Sequence, residues 1–91
     1  MTFSPLKVST MGKAPAPDYF LQSLGANLRK AREAKGLSLR DLAALCTIDH
    51  SDIAKMERGE PNFTILTLKE LCNALQLHPR EAFDFEILPE D

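Results

Sequence analysis

Cysteine is scarce in this chain: Cys46 and Cys72 are the only two. They are too few and too far apart for a metal site built from paired cysteines. Neither His50 nor His78 has a second ligand near it in sequence, so no metal is expected. Both cysteines fall on the apolar side of expected helices, where a reduced thiol behaves as a small hydrophobe. Long apolar runs are missing as well. No stretch approaches the ~20 residues of a membrane span. The N-terminal MTFSPLKVSTMGKAPAPDYF has no continuous apolar segment followed by a small-residue cleavage site, so no signal peptide is expected. A nucleophile–base pairing, a glycine loop to cradle phosphate and paired carboxylates in a cleft are absent too. The expectation is a cytoplasmic protein that is not an enzyme and carries no cofactor.

Net charge is also small, −2 in all, which excludes binding to nucleic acid by bulk charge alone. Its distribution is uneven. Up to Arg58 there are nine Lys/Arg against six Asp/Glu, a balance of +3. From Gly59 onward two Lys/Arg face seven Asp/Glu, a balance of −5. That polarity suits one face turned toward phosphates and an acidic end pointing away, although solvated charge often segregates without purpose.

What is present fits one domain. Ninety-one residues, 44% hydrophobic and 26% charged, can bury a modest core. Residues 1–17, with Pro5, Gly12, Pro15 and Pro17, show no period and read as a flexible arm, with Lys7 and Lys13 able to follow a polyanion. Residues 18–91 read as the folded domain with a short C-terminal extension. From Asp18 a helical period sets in: Phe20, Leu21, Leu24, Leu28 and Ala31 form a stripe, while Arg29, Lys30 and Glu33 face away. Gly25 inside that stripe predicts close approach by another helix, and Gly36 ends the helix. Ser38 caps a second helix, with Asp41 completing a capping box and Leu42, Ala43 and Cys46 pointing inward. After the turn Cys46-Thr47-Ile48, Asp49 caps a third helix, with Asp52 three positions on. Ile53 and Met56 face the core and Gly59 closes that helix. Thr67 is expected to cap a fourth helix with Leu68, Leu71, Cys72 and Leu75 inward. His78-Pro79 opens a short fifth, closed on the core by Ala82 and Phe83. The result is a compact all-α bundle of five helices.

The stretch SLRDLAALCTIDHSDIAKMERG, Ser38 to Gly59, reads as two short helices crossing at a tight turn. Its second helix leaves His50, Ser51, Ala54, Lys55 and Arg58 with nothing in the chain to pack against. A small domain that presents a helix in this way suits the reading of DNA.

From Leu24 to Phe83 the chain resembles the phage repressor/Cro-like (XRE-type) helix-turn-helix family. The resemblance is carried by LGANLRKAREAKGLSLRDLA and IDHSDIAKMERGEPNFTILTLKELCNALQLHP, with Glu57-Arg58-Gly59 and the Asn62…Thr64…Thr67-Leu68 spacing before Asn73-Ala74-Leu75. It implies a lambda-repressor-like domain in which Ser38 to Cys46 is the positioning helix and Asp49 to Arg58 the recognition helix. His50, Ser51 and Lys55 would read base edges, and Ala54 would meet a thymine methyl. Arg29, Ser38, Arg40, Arg58, Asn62 and Thr64 would hold backbone phosphates. Arg32 and Glu57 match a pair that joins the first and third helices, and Arg32 could also reach a phosphate.

Four positions depart from the family pattern. Leu39 stands where a phosphate-contacting glutamine is common, which would pass that task to Arg40. Thr47 replaces a turn glycine and is poor at positive φ, so an altered or strained turn is expected. Asp52 and Glu60 put carboxylates on the binding side and lower the expected affinity.

Chemically the set is suited to base reading: lysine donates to guanine O6 and N7, while serine and histidine donate or accept. One short helix reads only a few base pairs, so a homodimer on half-sites about one DNA turn apart is expected. Phe83, Phe85, Ile87 and Leu88 are the candidate dimer interface; alternatively they fold back on their own core. The expected partners are double-stranded DNA and a second copy, with no membrane and no small-molecule effector. The competing class is a helix-turn-helix-fold module that binds another protein, antitoxin-like, with weak or no DNA affinity; the acidic balance, Asp52 and Glu60 favour it.

Overall fold

The computed structural model describes residues 18–60 and 63–86. The elements run α1 Tyr19–Ala34, α2 Leu39–Ala43, α3 His50–Glu57, α4 Ile65–Leu75 and α5 Pro79–Ala82, and no strand occurs among the described residues. The described residues adopt the expected all-α, five-helix architecture.

Most helix ends are set by side chains next to them in sequence. The Asp18 carboxylate accepts the Leu21 N–H at 3.1 Å and starts α1. Gly36, at φ 69°, lets the chain turn back, and the Leu37 N–H reaches the Arg32 carbonyl at 3.2 Å. Ser38 and Asp41 form the full capping box: the Asp41 N–H donates to Ser38 Oγ at 3.0 Å, and the Ser38 N–H to Asp41 Oδ2 at 2.9 Å. Asp49 caps α3 through the Ser51 N–H at 3.1 Å and also accepts the Ser51 hydroxyl. Asp52 turns instead toward Lys55, 3.9 Å from Oδ1 to Nζ. In α5 the His78 N–H donates to Glu81 Oε1 at 3.1 Å, with Pro79 at the first helical position.

α4 begins earlier than expected. Its cap is Thr64, whose Oγ1 accepts the Thr67 N–H at 3.1 Å, so Thr67 lies inside the first turn. The reason is physical: Ile65 and Leu66 are exposed, so the inward period starts only at Leu68 and hides the first turn.

One core joins the helices. Leu28, Leu42, Ile53, Leu71 and Leu75 are fully buried, with Leu24, Ile48, Met56, Leu68, Cys72 and Ala82 around them. Burial pushes the Cys72 thiol above its ordinary pKa, which suits an inert core residue. Cys46 is half-buried, its thiol 3.4 Å from the Leu42 carbonyl, and both cysteines are unpaired. Gly25 sits where α1 and α3 cross. A Cβ there would lie 2.5 Å from the Glu57 carbonyl oxygen and closer still to that of Met56, so no larger residue fits.

The C-terminal segment returns to α1. Asn27 Nδ2 donates to the Ala82 carbonyl at 3.0 Å and reaches the Asp84 carbonyl at 3.3 Å, holding the end of α5. Phe20 packs on Phe83 and Phe85 with ring centroids 5.8 and 5.2 Å away, and Tyr19 meets Phe85 edge-on at 6.4 Å. Ile87 and Leu88, like residues 1–17, lie outside the described residues.

Candidate nucleic-acid interface

α3 has two unlike faces. Ile53 and Met56 are buried, and Glu57 is held beneath them by Arg32. Arg32 Nε donates to Glu57 Oε2 at 2.7 Å and Nη2 to Oε1 at 3.0 Å, with side-chain exposures of 10% and 6%. Nη1 donates to the Leu37 carbonyl at 2.8 Å. This two-pronged bond raises the Arg32 pKa above its ordinary value, against the opposing effect of burial. With three nitrogens so occupied, Arg32 serves as a bolt between α1 and α3. Gly59, at φ 84°, completes the junction: a Cβ there would lie 2.9 Å from the backbone of Gln22.

The opposite face is open. Ser51, Lys55 and Arg58 are exposed, and His50 and Ala54 are half-buried. Positions 50, 51, 54, 55 and 58 follow helical spacing and make one stripe. Ser51 gives its hydroxyl proton to Asp49, so in this arrangement it presents lone pairs outward. Donation from the Ser51 hydroxyl and N–H holds the Asp49 carboxyl below its usual range, helped by the nearby His50 and Arg40.

The cations around this stripe have carboxylate neighbours. Arg58 donates from Nη2 and Nε to Glu60 Oε2 at 2.9 and 3.0 Å. Arg29 donates to Glu33 at 3.0 Å, one turn along α1. These are exposed pairs, worth at most about 1 kcal/mol, and a phosphate can displace the carboxylate. Ser38 and Thr64 occupy the N-caps of α2 and α4, where hydroxyl oxygens accept backbone N–H groups. Leu39 packs on the core. Asn62 lies outside the described residues.

The turn between α2 and α3 contains a partner that sequence reasoning missed. Thr47 takes no left-handed conformation; Gln76 is the sole non-glycine residue at positive φ among those described. Thr47 needs no positive φ in this turn, and Glu70 of α4 holds it through the Thr47 N–H and hydroxyl. No sequence signal links residues 47 and 70.

A family model described as Helix-turn-helix matches residues 28–81, from the middle of α1 into α5. An uncharacterized HTH-type transcriptional regulator, y4dJ, of Sinorhizobium fredii is 35% identical over 52 residues, covering 57% of this chain and 68% of that protein. Among solved structures, the restriction-modification controller protein C.AhdI of Aeromonas hydrophila aligns with a TM-score of 0.65 at 41% identity, covering 69% of this chain and 96% of its own. The clp gene regulator ClgR of C. glutamicum aligns with a TM-score of 0.68 at 31% identity, covering 78% and 90%. The controller protein C.Esp1396I, solved as a tetramer in complex with its natural 35 base-pair operator, gives 0.66 at 27% identity, covering 74% and 88%. By the span of the family match and by the geometry of its second and third helices, this chain belongs to the helix-turn-helix family.

Proposed function

We propose that this chain is a sequence-specific DNA-binding transcriptional regulator, acting as a homodimer that sets α3 into the major groove of an inverted-repeat operator. The observation that carries the reading is the two-faced α3. One side is bolted to α1 by Arg32–Glu57 and Gly25, and the other presents the exposed Ser51, Lys55 and Arg58 with the half-buried His50 and Ala54 among them. The matched relatives, gene regulators and restriction-modification controllers, support it.

In this reading His50, Ser51 and Lys55 address base edges and Ala54 a thymine methyl. Arg29, Ser38, Arg40, Arg58, Asn62 and Thr64 hold phosphates on either side; a capping hydroxyl still has its own proton to donate. The protein has no catalytic role and works in the cytoplasm. For self-association, Phe83 and Phe85 already spend ring surface on Tyr19 and Phe20. Ile65 and Leu66, 72% and 68% exposed on the first turn of α4, are the stronger contact, with Ile87 and Leu88 as further candidates.

The carboxylates beside Arg29, Lys55 and Arg58 favour the second reading, a module that binds an acidic-tolerant protein surface instead of DNA. A titration separates the two. A regulator selects an inverted repeat from random duplexes, with log affinity falling by about 0.9 per phosphate contact for each decade of salt. Equal, weak binding to every duplex would overturn the regulator.

A further inference from the structure

The stripe on α3 can read DNA only if the preceding turn delivers the helix at a set angle, and no residue of that turn is held by left-handed backbone. Two anchors do the work. Ile48 is buried in the core, and Thr47 beside it is bonded to α4. Glu70 accepts the Thr47 N–H at 2.5 Å through Oε2. The Thr47 hydroxyl lies 2.9 Å from Oε1 and 2.7 Å from Oε2 of the same carboxylate. Thr47 comes two residues before Asp49, the cap of α3. α3 makes its main contacts with α1 and α2, so this polar clamp adds a direct tie between the start of α3 and the fourth helix.

We propose that Glu70 is a positioning residue for base reading: by gripping Thr47 it sets the angle at which His50, Ser51 and Lys55 meet the groove. The inference rests on the function proposed above. The Thr47 hydroxyl, and next its N–H, hold the Glu70 carboxyl below its usual range, so the anionic form that makes the clamp persists at neutral pH. Base reading tolerates displacements of only about 0.5 Å, which makes a loose turn costly in discrimination and not in phosphate contact.

The test uses the intact chain and two probes, an inverted repeat selected by the wild type and a random duplex of equal length. Glu70→Ala is expected to lower the affinity ratio between them roughly tenfold, through the selected repeat alone, because one base contact is misplaced. Removing a negative charge cannot by itself weaken DNA binding, so the direction separates positioning from electrostatics. Glu70→Gln keeps an acceptor for Thr47 and should hold the ratio within about threefold. Residual dipolar couplings on the free protein should show α3 reoriented relative to α4 in Glu70→Ala and not in Glu70→Gln. If Glu70→Ala does not fold, Thr47→Val, which loses only the hydroxyl bonds, should show the same effects at about a third of the size. An unchanged ratio well below the melting temperature, or an unchanged orientation of α3, overturns the inference. If the wild type prefers no duplex, the proposed function fails, and the couplings alone decide whether Glu70 orients α3.

Discussion

Lys55 and Arg32 are both basic residues at the α1–α3 region, yet they are suited to opposite tasks. Lys55 is exposed, 3.9 Å from an equally exposed Asp52, a distance at which the pair is weak and exchangeable. Lys55→Ala should therefore relax base preference at one position of each half-site by about 1–3 kcal/mol. Arg40→Ala should weaken all duplexes alike and lower the salt slope by about one, as expected of a phosphate contact. Binding arrays read at two salt concentrations distinguish the two patterns; uniform loss from Lys55→Ala would make it a backbone contact. Arg32 is bound in a buried, two-pronged pair. Arg32→Ala leaves the Glu57 carboxylate buried without a partner and should cost about 3 kcal/mol in denaturant unfolding. Arg32→Lys should recover only part of that, since an ammonium cannot replace the fork. An Arg32→Ala protein of unchanged stability would mean the pair contributes nothing net.

The helices owe their limits to caps and their closeness to glycine. Gly25→Ala gains about 1 kcal/mol of helix propensity. Against it, a methyl forced onto two carbonyl oxygens of α3 costs about 3 kcal/mol, for a net loss of about 2. Thermal melting checks the sign, and a rise in melting temperature would show that α1 and α3 separate freely. Three carboxylates, Asp41, Asp49 and Glu70, are held below their usual range by hydrogen bonds that exist only in the folded state. Their folded values lie below their unfolded ones, so their contribution is complete above the ordinary carboxylate range. It is lost as pH falls through the depressed values. Melting temperature should thus decline as pH drops below about 4, and Asp41→Asn should flatten part of that decline. For Asp41 the Ser38 N–H is the main cause, with the Ser38 hydroxyl second.

At the scale of the whole molecule the question is symmetry. One α3 stripe cannot select a single site among many, whereas two copies reading half-sites about 34 Å apart can. The first turn of α4 offers the exposed Ile65 and Leu66 for that contact. Ile65→Glu should give a monomer in sedimentation equilibrium with the fold intact, since Ile65 is 72% exposed in its own chain. Affinity for the inverted repeat should fall to that of a single half-site. A persistent dimer would return the interface to the C-terminal segment.

Features settled within a few residues of one another are legible in the sequence. Asp18, Ser38, Asp49, Gly36, Gly59 and Pro79 mark helix ends because each acts on backbone one to three positions away. Helical period alone gives the buried Leu24 and Leu28 of α1 and the outward positions of α3. Phe20, expected in the same inward stripe, stays 40% exposed at the start of α1, where Phe83 and Phe85 cover only part of its ring. The family resemblance supplied Arg32–Glu57, which spacing could not. Local signals failed where exposed apolar residues interrupt the period, so α4 starts at Ile65 and its cap is Thr64. Tertiary structure alone decided which distant groups meet: Glu70 with Thr47, Asn27 with the end of α5, and Phe20 with Phe83 and Phe85. A hydrogen bond or ring contact across 23 to 65 residues depends on where whole helices come to rest, and that is set by the shared core rather than by any neighbour in the chain.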